Sequence, residues 1–156
     1  MPRSNRLLQR RASIDPDDVW TPGDIVQMDA VVAGCAMVAQ ADGWVTPEER
    51  KGMIDRMRNS PTIAFFGVDD VLVLFEALNL RFERDPDDGE ATAEVAVSRL
   101  RGQSGASRAL IEAACLVAEA DGGVDAEERA VILRLCTLLD LDPASFDLLP
   151  REGGPR

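Results

Sequence analysis

The sequence predicts an all-α protein of about seven helices, built from two related halves. Apolar residues recur at helical spacing along most of the 156 residues and do not alternate convincingly at a period of two. Capping residues followed by proline mark several helix starts. Residues 38–50 return as residues 117–129 with nine identical positions, and a match this dense indicates a duplicated helical unit.

The chain is long enough for one domain or two closely packed halves. We expect a flexible tail over 1–20, with a docking helix as the functional alternative, because the segment is basic at first and then acidic. The helical domain is expected over 21–149 and a second tail over 150–156. Within the domain, the two half-repeats are expected at about 24–66 and 105–149. The helices that link them are expected at about 69–102.

Two helices and a short third are predicted in the first half. The first covers about 22–41, where a capping threonine and a first-turn proline precede an apolar stripe of Met28, Val31, Cys35 and Val38. The second begins at Thr46, and Glu49 completes a capping box with it. The third covers about 60–66 and ends at Gly67, which can adopt the positive φ that stops a helix.

Two further helices are predicted between the halves. One begins at Asp69 and runs to about Glu83, with a buried face formed by Val71, Leu74, Phe75 and Leu78. The next begins at Asp85-Pro86, and its buried face is expected to include Ala93, Val97 and Leu100. The two glycines within 102–105 predict a turn before the second half.

The second half is predicted to open with a helix over about 107–120. Its residues are apolar nearly all round, which indicates a central, buried helix. Asp125 and Glu128 then repeat the capping box, and a helix follows to about Leu139. A last short helix is expected over 142–148.

Composition limits the classes of partner and site. The formal net charge of −11 argues against nucleic acid as the main partner, because phosphate binding needs a basic surface. A hard cation or a basic protein partner fits better. The chain has no histidine, which excludes His-ligated metal sites and Ser-His or Cys-His catalytic pairs.

The cysteines and the apolar runs predict a cytoplasmic location. Cys35, Cys115 and Cys136 lie in apolar helical patterns without a CxxC spacing, so we interpret them as small core residues in a reducing compartment. The N-terminus lacks the apolar segment of a signal peptide. No apolar run approaches the roughly 18 residues of a membrane helix, so the chain is not expected to span a membrane itself.

Each copy of the repeat matches the second half of an EF-hand calcium loop, which has Asp, Gly, an aliphatic residue and Glu at positions 5, 6, 8 and 12. The matching residues are Asp42, Gly43, Val45 and Glu49 in the first copy and Asp121, Gly122, Val124 and Glu128 in the second. The first half is missing, because Val38 and Val117 stand where the first ligand is needed. Each loop alone would therefore bind a cation no better than roughly millimolar.

The duplication changes this estimate of cation affinity, because a second loop could contribute ligands to the same ion. We expect Val45 and Val124 to meet as the aliphatic residues of paired EF-hands do, which would place the acids of both loops on one rim. Such oxygen donors suit Ca²⁺, Mg²⁺ or Mn²⁺. The candidate metal ligands are Asp42, Glu48, Glu49, Asp121, Asp125, Glu127 and Glu128.

A purely structural interpretation competes with the metal site. The acids can bond to loop amides, close capping boxes and complement the helix dipole by about 0.3–1 kcal/mol each. In this interpretation Arg50 and Arg129 neutralise neighbouring acids.

Four residues are candidates for partner binding. Trp44 stands where the second copy has Gly123, so it is either a lid over the core or an exposed anchor. Arg99, Arg101 and Arg108 flank the predicted turn with no acid between them, which fits a docking patch for an acidic partner or a solvated basic turn.

The repeated Ala-Asp-Gly-x-Val-x-x-Glu-Glu element on helical hairpins resembles the TerB family of tellurite-resistance proteins. Asn59-Ser60-Pro61, followed by Phe66 and Val68, looks like the middle section of that family, and residues 139–146 resemble its C-terminal end. The resemblance covers about residues 24–148.

This resemblance implies an all-helical fold of two related halves and a cytoplasmic role in tellurium resistance and general stress response. It implies action within protein complexes, including one with a membrane-embedded partner, and no established enzymatic activity. The acidic loop residues suspected of metal binding in the family correspond to Asp42, Glu48, Glu49, Asp121, Glu127 and Glu128. The two copies differ at Thr46 and Asp125 as well as at Trp44 and Gly123, so the two sites need not be equivalent.

Three functions stay open on the sequence. The one we expect is a non-enzymatic stress-response adaptor or cation-responsive binding module that acts through the two acidic loops. The second is a metal-dependent hydrolase, since two metals about 4 Å apart can support phosphoryl chemistry. The third is direct reduction of tellurite by the cysteines, which the negative charge of both tellurite and the chain disfavours.

Overall fold

The computed structural model describes residues 22–41, 46–118 and 125–146. These residues form seven α-helices and one 3₁₀ turn, with no strand among them. In chain order the elements are α1 (Pro22–Ala39), α2 (Pro47–Arg58), α3 (Pro61–Phe66), α4 (Val68–Arg84), α5 (Pro86–Ser98), α6 (Ser104–Ala118), α7 (Ala126–Leu139) and the turn Pro143–Phe146. The all-α class that the sequence predicts is confirmed.

Helix α1 is the centre of the bundle. It packs against α3, α4, α5, α6 and α7, and every residue from Ala30 to Ala39 is buried. The apolar stripe predicted for this helix was therefore too narrow, because helices cover it on all sides. Gly34 permits one of these approaches, since a Cβ at this position would lie 2.9 Å from Leu110 Cδ2 of α6.

Four predicted helix starts are confirmed by their hydrogen bonds. Thr46 and Asp125 each form a capping box at the start of α2 and α7. Ser60 accepts a hydrogen bond from the amide of Ile63 in α3, and Asp85 caps α5 in the same way. Such caps stabilise a helix by about 1 kcal/mol each, so the boundaries of these elements are fixed by local chemistry.

Some predicted boundaries differ from the structure. Helix α6 begins at Ser104, so Gly105 lies in the helix and not in the turn. The hydroxyl of Ser107 donates to the carbonyl of Leu100 at 2.8 Å, which holds the first turn of α6 against the end of the preceding segment. The last predicted helix is a 3₁₀ turn over 143–146 in the described part of the chain.

Other predictions concern residues outside the described ranges. These are the two tails, the Thr21 cap, the two acidic turns and the end of the last element. The division of the chain into half-repeats also stays a prediction.

Candidate functional site

The described part of the first acidic loop is the capped start of α2. Thr46 Oγ1 accepts a hydrogen bond from the amide of Glu49 at 3.0 Å, and Glu49 Oε1 accepts one from the amide of Thr46 at 3.0 Å. One carboxylate oxygen of Glu49 is therefore used by the helix itself. The structural interpretation of this residue is supported to that extent.

The second acidic loop ends in the same arrangement at the start of α7. Asp125 Oδ1 accepts from the amide of Glu128 at 2.8 Å, and Glu128 Oε1 accepts from the amide of Asp125 at 3.3 Å. The duplicated sequence thus produces a duplicated local structure, although the capping residue is threonine in one copy and aspartate in the other.

Glu48 and Glu127 occupy equivalent positions, one residue before the capping-box glutamate. Both side chains are exposed, and neither makes a hydrogen bond or an ion pair in the described part of the chain. Helix capping does not use these carboxylates. Among the described acids of the two repeats, these two are the ones that the capping boxes leave unexplained beyond a favourable interaction with the helix dipole.

The complete ion site cannot be assembled from the described residues. Asp42, Trp44 and Asp121 lie outside them, as do Val45 and Val124, whose expected approach therefore stays a prediction. Among the residues that the structure does describe, no group of three acidic or thiol side chains is placed to hold a metal ion. A cation site formed by both loops would need the acids of the two undescribed turns.

Arg50, the last residue of the first repeat, binds a helix that is distant in sequence. Its guanidinium donates to Glu76 Oε1 at 2.5 Å and to Glu83 Oε2 at 2.9 Å, both on α4. These two bonds direct the charge of Arg50 to acids of α4, and its expected neutralisation of acids in the loop stays a prediction because residues 42–45 lie outside the described ranges. The arginine therefore anchors the start of α2 to α4.

Two further hydrogen bonds hold the segments that flank the acidic loops. Gln40, just after α1, donates from Nε2 to Oδ1 of the buried Asn79 on α4 at 3.1 Å. Arg56 of α2 donates from Nε to the carbonyl of Val117 at 2.9 Å, in the last turn of α6 before the second loop. Sequence reasoning missed both residues. For Gln40 the available signal was its partner Asn79, a polar residue that interrupts the apolar face of α4 in helical register with Phe75.

The three candidate arginines have different surroundings. All three are exposed. The guanidinium of Arg108 stacks over the ring of Phe146, 4.8 Å from its centroid, which ties α6 to the 3₁₀ turn. Arg99 lines a surface groove together with the half-buried Asp29. Burial raises the pKa of the Asp29 carboxyl, and the charge of Arg99 opposes that shift.

None of the three cysteines forms a disulfide. Cys35 is fully buried, and the loss of solvation raises the pKa of its thiol to about 12. Burial also raises the pKa of Cys136, with a smaller contribution from Asp142. Because the thiolate is the reactive form of cysteine, these two residues are poorly suited to the reduction of tellurite.

Of the comparisons with known proteins, the comparison with family models gives a match and the other two do not. The family model of the tellurite resistance protein TerB matches residues 28–150. No curated protein and no solved structure is similar enough to the chain to count as a match. The described helices include none with the length and apolar character needed to cross a membrane. The match covers most of the sequence, and the all-α fold agrees with it, so the chain belongs to the TerB family of tellurite resistance proteins.

Proposed function

We propose that this protein is a non-enzymatic, cytoplasmic adaptor of tellurite resistance and stress response, and that its two acidic loops bind a divalent cation. The observation that carries the proposal is the equivalent placement of Glu48 and Glu127. Both carboxylates are exposed beside a capping box, and the capping hydrogen bonds do not involve them. A duplicated surplus of acid at two helix starts fits a cation better than it fits helix capping alone.

The expected binding is weak. Each loop lacks the first ligand of a calcium loop, because Val38 and Val117 have no side-chain oxygen. Calcium takes 6–8 oxygens, whereas magnesium keeps several of its waters and needs fewer protein ligands. An affinity near the roughly millimolar end of the calcium-binding range follows if the two loops act separately. Such a site responds to changes in cation concentration and is not permanently filled.

The adaptor part of the proposal concerns protein partners. The net charge of −11 disfavours nucleic acid, and the family to which the chain belongs is expected to act in complexes, one of them with a membrane-embedded protein. Trp44, Arg101 and Arg108 are the proposed contacts near the loops and the α5–α6 connection. Arg99 is the fourth proposed contact, and it lines a groove between three helices.

Calorimetric titration with Ca²⁺, Mg²⁺ and Mn²⁺ tests the cation part. In a Glu48→Gln/Glu127→Gln variant we expect the affinity to fall by about tenfold or more, because two hard oxygen donors are lost. The control is Asp69→Asn/Asp87→Asn, which changes the net charge equally. It removes exposed first-turn acids from α4 and α5, outside the two loops. The control is expected to bind like the unmodified protein.

The alternative outcomes discriminate between functions. Equal losses in both variants would mean that cations collect diffusely on an acidic surface. Absence of binding to the unmodified, folded protein would leave only the adaptor. Phosphatase activity with Mn²⁺ that disappears in Glu48→Gln/Glu127→Gln would instead favour the metal-dependent hydrolase.

A further inference from the structure

A groove runs between α1, α4 and α5, on residues separate from the acidic loops. Its volume is about 580 Å³. The buried Ala33 of α1 lies at its floor, Leu74 and Leu78 of α4 form one wall, and Val95 and Ala96 of α5 form the other. We call it the α4–α5 groove. Its walls are mainly apolar, and short side chains leave space between the two helices.

Helix α5 separates this groove from a second depression of about 500 Å³. Ala91, Val95 and Arg99 line both. These residues are spaced four apart, so they form one ridge along α5. Val95 is 59% exposed at the middle of the ridge. A ridge with a depression on each side is the surface that another helix packs against.

Exposed apolar residues extend the groove along α4. Val73 is 69% exposed and Leu80 is 47% exposed. Each is one helical turn from Ala77, which lines the groove. The stretch from Val73 to Leu80 covers roughly 10 Å of helix axis, and the α5 ridge covers about 12 Å. The apolar surface is therefore about two helical turns long, which suits a helix better than a compact ligand.

Arg99 gives this face a charge preference. Its guanidinium makes no hydrogen bond, and no ion pair within 4.0 Å, across residues 22–41, 46–118 and 125–146. By contrast, Arg81 in the same groove is paired with Asp88 at 2.5 Å. The charge of Arg99 acts on the half-buried Asp29 in the same groove, but the two residues form no ion pair. The donors of Arg99 are thus available to a carboxylate.

We propose that the α4–α5 groove docks an amphipathic helix of a partner protein and that a carboxylate on this helix pairs with Arg99. Apolar residues at i, i+3, i+4 and i+7 of the partner would fill the groove, and packed helix axes lie 8–10 Å apart. This inference rests on the adaptor part of the proposed function and is independent of cation binding.

The test uses fluorescence anisotropy of a labelled 18-residue helical peptide with a leucine face and one glutamate beside it. Its twin has glutamine at that position, and the full chain is titrated in EDTA. We expect the glutamate peptide to bind, and Arg99→Gln to weaken it by about tenfold or more, because a charged hydrogen bond is lost. Arg58→Gln is the matched control and should not change binding, since Arg58 is exposed at the end of α2 and lines neither depression.

Three further variants should change peptide binding in different directions. Val95→Asp should abolish binding of both peptides by placing a charge on the apolar ridge. Asp29→Asn should tighten the glutamate peptide severalfold, because a competing acid is removed. Arg99→Glu should bind a lysine version of the peptide better than the glutamate version. Circular dichroism of each variant confirms that it is folded.

The inference is overturned if neither peptide binds, or if binding is the same in Arg99→Gln and Val95→Asp as in the unmodified protein. It is also overturned if decanoate binds with the same dependence on Arg99 and displaces the peptide, which would assign the groove to a small anionic amphiphile. Because the titration contains EDTA, its failure leaves cation binding unaffected, and loss of the calorimetric cation signal leaves the groove unaffected.

Discussion

Phe75→Ala is expected to lower the free energy of unfolding by about 3–5 kcal/mol, the usual cost of removing a buried aromatic side chain. Phe75 is 0% exposed on α4, a helix that packs on the central α1. The substitution removes apolar contacts and leaves a cavity that the surrounding helices fill only in part. Urea unfolding followed by circular dichroism measures the change.

Leu80→Ala is the matched control for this variant. Leu80 lies on the same helix but is 47% exposed, so its truncation should cost well under half as much. A similar loss at both positions would contradict the burial of α4 described above. A loss below about 1 kcal/mol for Phe75→Ala would do the same, because it would mean that the ring is not enclosed.

Gly89→Ala is expected to destabilise the protein by about 1–3 kcal/mol, although alanine favours an α-helix over glycine by about 1 kcal/mol. A Cβ on Gly89 would lie 2.7 Å from the Cα of Phe82 and equally close to its ring. The backbone of α4 cannot move away cheaply, so α5 would have to shift. The difference in urea midpoint between the variant and the unmodified protein measures the effect.

Gly105→Ala provides the opposite expectation. Gly105 lies in the first turn of α6, it is exposed, and a Cβ there would meet no atom within 4 Å. Alanine should therefore stabilise the protein by up to about 0.5–1 kcal/mol. If Gly89→Ala were also stabilising, the close approach of α4 and α5 would be wrong.

The helix starts could be predicted because their causes are local. Thr46, Ser60, Asp85 and Asp125 cap the helix that follows each of them through bonds to an amide three residues ahead. Such bonds depend only on residues that are neighbours in sequence. The all-α class follows from the same local signals together with the apolar spacing.

The position of α1 could not be predicted in the same way. An apolar stripe shows that one face of a helix is buried, but the number of helices around it depends on the whole topology. The small residues of α1, including Gly34 and Ala36, were the available signal, because they allow several helices to approach closely. Their significance is visible once Leu110 is placed against Gly34.

The candidate site also has one part with local causes and another part that depends on the whole fold. The acids of the two repeats could be identified from spacing, and so could the capping role of Glu49 and Glu128. The partner of Arg50 could not, because Glu76 and Glu83 lie on a helix brought near by folding. The groove beside Arg99 likewise requires three helices that are distant in sequence.

The central claim is that the two acidic repeats bind a divalent cation, and Mn²⁺ tests it most directly. Paramagnetic Mn²⁺ broadens amide signals in NMR spectra, and the effect falls steeply with distance. At low Mn²⁺ concentration we predict that assigned signals of residues 46–50 and 125–129 broaden first, and together. Absence of selective broadening, or equal broadening in the acidic first turns of α4 and α5, would contradict the claim.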